Sequence, residues 1–476
     1  MQSAAAARRG GVPEMAAPPA GDFQHESWSS PQAFLLATIG AAVGLGNLWR
    51  FPYVAGQNGG AGFVLIYVGF VFLLGLPVMV AEMAIGRRGH QSAVGTMNRL
   101  VERHRHAPFW KLIGWLSILI PFLGLTYYAV VAAWSLDYLG LAITGAFNGL
   151  DGPASQDNFA VQIGRPLRQL FLHGLFIASV VVVVARGLHG GIERISKVAM
   201  PALFLILLFL VVYNIFQADF LAALRFLFTP DFSRLGTDAI LMALGQALFS
   251  LAIGVGVMIT YSAYLPKEFS LVTSAAVICC GDTLVALLAG LAIFPIVFGY
   301  GLSPGEGPGL IFVTLPVAFG QMPGGAIIGA LFFLLLFLAA YTTGIGMVEP
   351  IVSWLEEQRG AHRPTMTILC GFLAWLGGIV SVLSFSLLSG WHPLDWLPLM
   401  AGKTFFDVID FVVANVMLPV NALLIALFAG WVLDRATIGA ELGRGEGPWF
   451  AYWRFALRFL VPAAMIAIMV DLWFGN

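Results

Sequence analysis

The chain has 476 residues, 59% hydrophobic and only 10% charged, with 24 Lys and Arg against 25 Asp and Glu. A soluble domain carries about 25% charged residues, so this composition, with a mean hydropathy of +0.87, is that of an integral membrane protein. A net charge of −1 excludes the global basic footprint of a nucleic-acid binder.

Residues 1–27, rich in Ala, Gly and Pro with Arg8 and Arg9, hold no apolar core for a signal peptide and are expected to be a disordered cytoplasmic tail. Crossing the hydrocarbon takes about 20 mostly apolar residues. Eleven segments qualify: 32–56, 62–86, 110–144, 167–186, 197–217, 237–264, 271–300, 324–356, 364–388, 404–433 and 449–474, making 28–476 one all-α transmembrane domain. With the N-terminus in the cytoplasm, 17 Lys and Arg lie on the inner side and five outside, leaving the C-terminus out. Cys279, Cys280 and Cys370 lie in apolar runs and read as buried small side chains.

The first segment contains Gly40, Gly44, Gly46 and Pro52 together with Arg50. Glycine alone also suits helix packing, but an intramembrane arginine needs a wet cavity or a carboxylate. The sixth carries a similar break, Gln246 to Gly256 through Ser250 and Gly254. Matched interruptions in two halves point to an inverted-repeat transporter with its site at the midplane, where unwound backbone offers carbonyls to a cation and amides to an anion. The repeats are expected at 32–217 and 237–433, with 449–474 an extra helix.

Trp28, the run Gly40-Ala-Ala-Val-Gly-Leu-Gly-Asn-Leu-Trp-Arg-Phe-Pro-Tyr53 and Asn58-Gly-Gly-Ala-Gly62 resemble the signature of the neurotransmitter:sodium symporter family, which includes the bacterial leucine transporter. The resemblance implies two sodium sites. A first ion would take the Ala42 carbonyl, Asn47, Ser250 and Asp282 with the substrate carboxylate; a second would take the Gly40, Val43 and Ala339 carbonyls and the Thr342 and Thr343 hydroxyls. Such hydroxyls by themselves also suit bonds to the preceding helical turn. Where chloride-dependent relatives have a serine this chain has Ala286, while Tyr67, Gln246 and Ser250 remain. The Asp282 carboxylate is therefore expected to replace chloride.

Monoamine-carrying relatives have an aspartate where this chain has Gly44, so the resemblance implies a substrate that brings its own carboxylate, an amino acid. Leu45, Gly46 and Tyr128 would hold that carboxylate, and the carbonyls of Ala42, Phe249 and Ser250 the ammonium; Ala252 lacks a hydroxyl the leucine transporter has there. Gly124, Val131, Phe249, Val255, Thr343 and Met347 would wall the side chain. Gly124 and Val255 replace larger residues, implying room for a large apolar or aromatic side chain.

By the same resemblance Arg50 pairs with Asp410 as an outer gate, with Asp407 the rival partner, and His25 beside Trp28 faces Glu357 as an inner one. The run from Gly191 to Pro201 resembles a segment whose unwinding frees the second ion, and Glu82 an acid that ties the broken spans together. No His-Glu-x-x-His metal motif occurs, and no enzyme is expected. The implied protein is a bacterial inner-membrane symporter whose partners are an amino acid, two sodium ions and the bilayer, and no nucleic acid; a homodimer remains open. A sodium-dependent amino-acid sensor that moves nothing is the rival reading.

Overall fold

The computed structural model describes residues 26–232, 235–305, 309–443 and 447–474. His25 and most of the expected tail lie outside the described residues. In hydrocarbon every backbone N–H and C=O must find a partner within the chain, and the apolar runs answer this as helices. Among the described residues nine are long and apolar enough to span: Ala61–Gly89, Pro108–Ile143, Pro166–Val184, Leu188–Gln217, Leu271–Gly299, Gly325–Gln358, Arg363–Leu383, Phe405–Val432 and Pro448–Leu472.

The other two expected segments are the interrupted ones. The first span is a pair, Pro31–Ala42 and Gly46–Gln57, bent by 53°. The sixth consists of Thr237–Ser250 and Val257–Ala263, neither long enough alone. Its joint carries positive φ at Ala252 (51°), Gly254 (82°) and Gly256 (92°), a hand that a right-handed helix cannot continue. Shorter helices lie between the spans, among them Ala93–Arg103, Gly152–Ile163, Phe220–Phe228 and Leu310–Gln321.

Prolines shape several helices in one way. The residue before Pro52, Pro77, Pro316, Pro419 and Pro462 in each case donates to the carbonyl five residues back: Phe51 to Gly46, Leu76 to Val71, Leu315 to Leu310, Leu418 to Val413 and Val461 to Ala456. Proline has no N–H to continue the i−4 ladder and its ring crowds the carbonyl there, so the preceding turn widens.

The third and eighth spans share the most extensive helix contact and flank the broken spans. Cys279 and Cys370 are buried as expected, whereas Cys280 is exposed: on a helix with one buried face, adjacent residues point to different sides.

Candidate functional site

The site is built where the two interrupted spans meet. Val43 leaves the helix with ψ 103°, freeing the next amides: Gly44 N–H donates to Asn47 Oδ1 at 3.3 Å and Leu45 N–H to the Tyr128 hydroxyl at 3.2 Å. A Cβ on Gly44 would lie 2.6 Å from Thr343 Oγ1 and 2.7 Å from the Tyr128 hydroxyl, and one on Gly46 would lie 3.0 Å from the Phe249 ring. The glycines therefore let three neighbouring elements close on the bend.

Across from it, the Gly254 peptide is held at both ends. Its N–H donates to Glu82 Oε1 at 2.7 Å and its carbonyl accepts from Asn421 Nδ2 at 2.7 Å; Asn421 also donates to Ser117 Oγ at 3.2 Å. Glu82 was singled out from sequence but Asn421, wholly buried, was not. A lone asparagine in an apolar run was its only signal.

Between these breaks lies a cavity of about 50 Å³ lined by Ala42, Gly44, Leu45, Gly46, Gly124, Tyr128, Phe249, Ala252, Val255, Thr343 and Met347, among others. A Cβ on Gly124 would find only Met347 Cε, at 3.6 Å, so this wall has room. Val131, expected here, instead lines a larger cavity of about 380 Å³ beyond Tyr128 and Phe249. Ser250 belongs to the polar cluster around Asp282 described next.

Asn47 Nδ2 donates to Asp282 Oδ1 at 2.8 Å and to the Asp282 carbonyl at 3.1 Å, while the Tyr67 hydroxyl and Ser250 Oγ lie 3.1 Å apart. Gln246 Nε2 reaches the Gly46 carbonyl at 2.8 Å. Asp282 is fully buried, and its Oδ2 has no hydrogen-bond partner, nor do Gln246 Oε1 and Thr283 Oγ1. A buried carboxylate oxygen without a partner is costly, and carboxylate, amide and carbonyl oxygens suit a hard cation. The donor set fits sodium.

A second group gathers on the first and eighth spans. Thr343 Oγ1 donates to the Val43 carbonyl at 3.2 Å, and Thr342 Oγ1 to the Leu338 and Ala339 carbonyls, each at 3.2 Å. The Thr342 bonds are the local back-bonds that an apolar helix favours. A Cβ on Gly40 would stand 3.2 Å from Thr342 Cβ and 3.0 Å from Met200 Sδ, so Gly40, Val43, Ala339, Thr342 and Thr343 converge beside the fifth span, one residue before Pro201.

The gate residues are arranged differently from the sequence expectation. Arg50, Asp407 and Asp410 all line the 380 Å³ cavity, but Arg50 stacks over the Phe249 ring at 4.5 Å, and among the described residues no ion pair joins it to either acid. Asp407 Oδ2 accepts from the Thr404 amide at 3.0 Å and hydroxyl at 2.8 Å, closing a capping box at the head of the tenth span. That duty engages only one of its two carboxylate oxygens, and both acids remain in the cavity that Arg50 lines.

The opposite side is fastened. Trp28 is buried, its Nε1 donating to the Tyr261 carbonyl at 2.8 Å and its amide to the Tyr264 carbonyl at 3.2 Å. Glu357 accepts from the amide and hydroxyl of Ser92, the residue whose hydroxyl caps the helix Ala93–Arg103. Gly191 sits in a widened turn, Leu188–Glu193, where a Cβ would lie 2.0 Å from the Val183 carbonyl; Pro201 follows within Arg194–Gln217. Contacts not anticipated tie the chain before the first span to this turn. Glu26 accepts from the Leu188 and His189 amides at 3.0 and 3.2 Å, and Glu193 accepts from the Ser29 amide at 2.8 Å, the Ser29 hydroxyl and Lys197 at 3.2 Å.

The sodium:neurotransmitter symporter family model matches residues 25–149 and 160–473. A sodium-dependent transporter of Bacillus subtilis, YhdH, is 41% identical over 448 residues, covering 94% of this chain and 97% of that protein. A sodium-dependent transporter of Haemophilus influenzae is 31% identical, covering 94% and 98%. The crystal structure of MhsT in complex with L-phenylalanine superposes with a TM-score of 0.85 at 38% identity, covering 94% of this chain and all of that one. With matches running nearly end to end, the chain is a multi-pass, sodium-coupled transporter belonging to the sodium:neurotransmitter symporter family.

Proposed function

We propose that this transporter uses the downhill influx of sodium to carry a neutral amino acid with a large apolar or aromatic side chain into the cell by alternating access. The observation that carries the reading is Gly44, uncharged and hemmed in by the Tyr128 and Thr343 hydroxyls. With no carboxylate there to meet an amine, the substrate must supply its own to the ion beside Asp282. The L-phenylalanine bound in MhsT supports the substrate class, and the room beside Gly124 supports a large side chain.

Two sodium ions are proposed. The first is held by Ala42, Asn47, Ser250, Asp282 and the substrate, the second by Gly40, Val43, Ala339, Thr342 and Thr343. The ions order the bend, and Leu45, Gly46 and Tyr128 receive the carboxylate. Arg50 then closes on Asp410, and release of the second ion toward the Trp28 side follows loosening of the turn around Gly191. Two cations with one zwitterion make the cycle electrogenic, each charge worth about 2.3 kcal/mol per 100 mV. The orientation proposed places the Trp28 side in the cytoplasm, within two inverted repeats. Asp282, facing Asn47 with Ala286 one turn on, supplies locally the negative charge that chloride brings elsewhere.

Uptake of labelled amino acids into proteoliposomes, with an imposed sodium gradient and with potassium in its place, tests the reading. Accumulation of Phe, Trp or Leu only with sodium supports it. Sodium-dependent binding without accumulation makes the protein a sensor, and loss of uptake when gluconate replaces chloride removes the role given to Asp282.

A further inference from the structure

Basic side chains gather where the tenth span ends and the eleventh begins. The last turns of a helix leave carbonyls without helical partners, and the eleventh span supplies them: Arg458 Nε donates to the Gly430 carbonyl at 2.7 Å and Arg454 to the Leu433 carbonyl at 3.3 Å. A guanidinium has five N–H donors, and these bonds use one apiece. Arg454 Nε is buried with no partner.

Arg435 and Arg458 both act on Arg454 as like charges, with Asp434 the acid that opposes them. Asp434 is already engaged, each of its carboxylate oxygens accepting from Thr437 at 2.7 Å. Arg458 lies 4.6 Å over the Trp431 ring and Arg435 5.6 Å over the Phe450 ring. Trp431 and Phe459, 52% and 50% exposed and packed edge to face, extend the apolar surface beside them. The cluster thus combines the guanidinium donors that Arg454 and Arg458 leave unused with an exposed aromatic wall.

Guanidinium forks match phosphate oxygens, and basic pockets between spans on the cytoplasmic side suit anionic headgroups. A free phosphate would have no use for the aromatic wall, and Arg458 stands well inside the apolar helix Pro448–Leu472. We propose that Arg435, Arg454 and Arg458 form a headgroup site for an anionic phospholipid, the phosphate held by the spare donors of Arg454 and Arg458 and the acyl chains lying along Trp431 and Phe459. In the orientation proposed above, this lipid belongs to the cytoplasmic leaflet. It would steady the end of the span that carries Asp410 at its other end.

The test follows the thermal unfolding midpoint of the purified full-length transporter in detergent as phosphatidylglycerol, phosphatidylcholine or inorganic phosphate is added. Phosphatidylglycerol alone should raise the midpoint, and the double variant Arg454→Gln with Arg458→Gln should need roughly tenfold more of it for half the effect. Equal responses of wild type and variant would overturn the site, the arginines then serving only to cap the tenth span. A rise with inorganic phosphate at the same concentrations would overturn the lipid source. Should the double variant not fold, Arg454→Gln alone leaves the Arg458 bond to Gly430 in place and must still weaken the phosphatidylglycerol response, with Arg454→Lys falling between it and wild type.

Discussion

At Gly124 the wall of the small cavity has only Met347 Cε within reach of a side chain, at 3.6 Å. Adding the branched side chain of valine there should fill space that a large substrate needs and a small one does not. In competition uptake, Gly124→Val is expected to weaken Phe and Trp by tenfold or more, on the scale of about 1–3 kcal/mol per misplaced methylene or so, while changing Ala little; equal losses for all three would mean that the backbone has already closed the gap. This position could be read from sequence because a glycine within a membrane-spanning helix stands out against its resemblance to a bulkier family residue. Val131 could not be placed the same way. Its one helical turn of difference from Tyr128 decides between the small cavity and the large one, and that depends on how the third span is rotated against its neighbours. Asp407 was likewise legible as an acid near the gate, but its capture by Thr404 depends on where the tenth span begins.

The interrupted sixth span holds its shape through the elements around it. Gly254 turns its N–H to Glu82 on the second span and its carbonyl to Asn421 on the tenth. Asn421→Ala leaves that carbonyl buried and unpaired, a loss of about 1–3 kcal/mol, and should lower the unfolding midpoint and raise the substrate concentration for half-maximal uptake. Asn421→Asp is nearly isosteric but, when ionised, cannot donate; it should share the defect, and wild-type behaviour in it would show that packing alone holds the joint. The breaks themselves were legible, because glycines clustered in an apolar run have few other uses, while their side-chain fasteners lie 167 and 172 residues away along the chain. A second element turns on local charge. Asp434 caps the helix Arg435–Leu442; burial pushes its carboxyl up, but hydrogen bonds from the Thr437 hydroxyl and amide, with neighbouring His104, outweigh this and hold it below the usual carboxylate range. A depressed value means that the stabilisation is complete above about pH 4, the ordinary carboxylate value, and is lost as pH falls through the lower folded value. Asp434→Asn preserves a capping oxygen but cannot titrate, so the gap between its unfolding midpoint and that of wild type should change as pH falls below about 4 and level off just above it.

For the molecule as a whole, the two sides of the pocket differ in state. Beyond Tyr128 and Phe249 a 380 Å³ cavity separates Arg50 from Asp410, whereas on the Trp28 side Glu26, Ser29 and Glu193 bind the start of the first span to the fifth, and Arg363 pairs with Glu349 and Glu356. This is a transporter open on one face and latched on the other. The family resemblance made the two faces legible through Arg50 and Trp28, but the latch at Glu193 was not, since nothing in the sequence brings Ser29 and Glu193 together across 164 positions. Alternating access requires that such a latch hold one state only, so removing it must shift the balance between states by its differential worth. Glu193→Ala deletes the acceptors for Ser29 and Lys197 and should populate the state in which the large cavity is shut. A cysteine placed at Ala414, which lines that cavity, reports this directly in a background where the exposed Cys280 is replaced by alanine. With a membrane-impermeant thiol reagent, labelling at position 414 should slow by about fivefold or more in Glu193→Ala, the factor that about 1 kcal/mol of coupling provides. Addition of sodium, proposed to bind at the bend of the first span, should restore part of the rate. Unchanged labelling with an intact fold would mean that the ties of Glu193 persist through the cycle, and that the fifth span moves together with the first instead of releasing it.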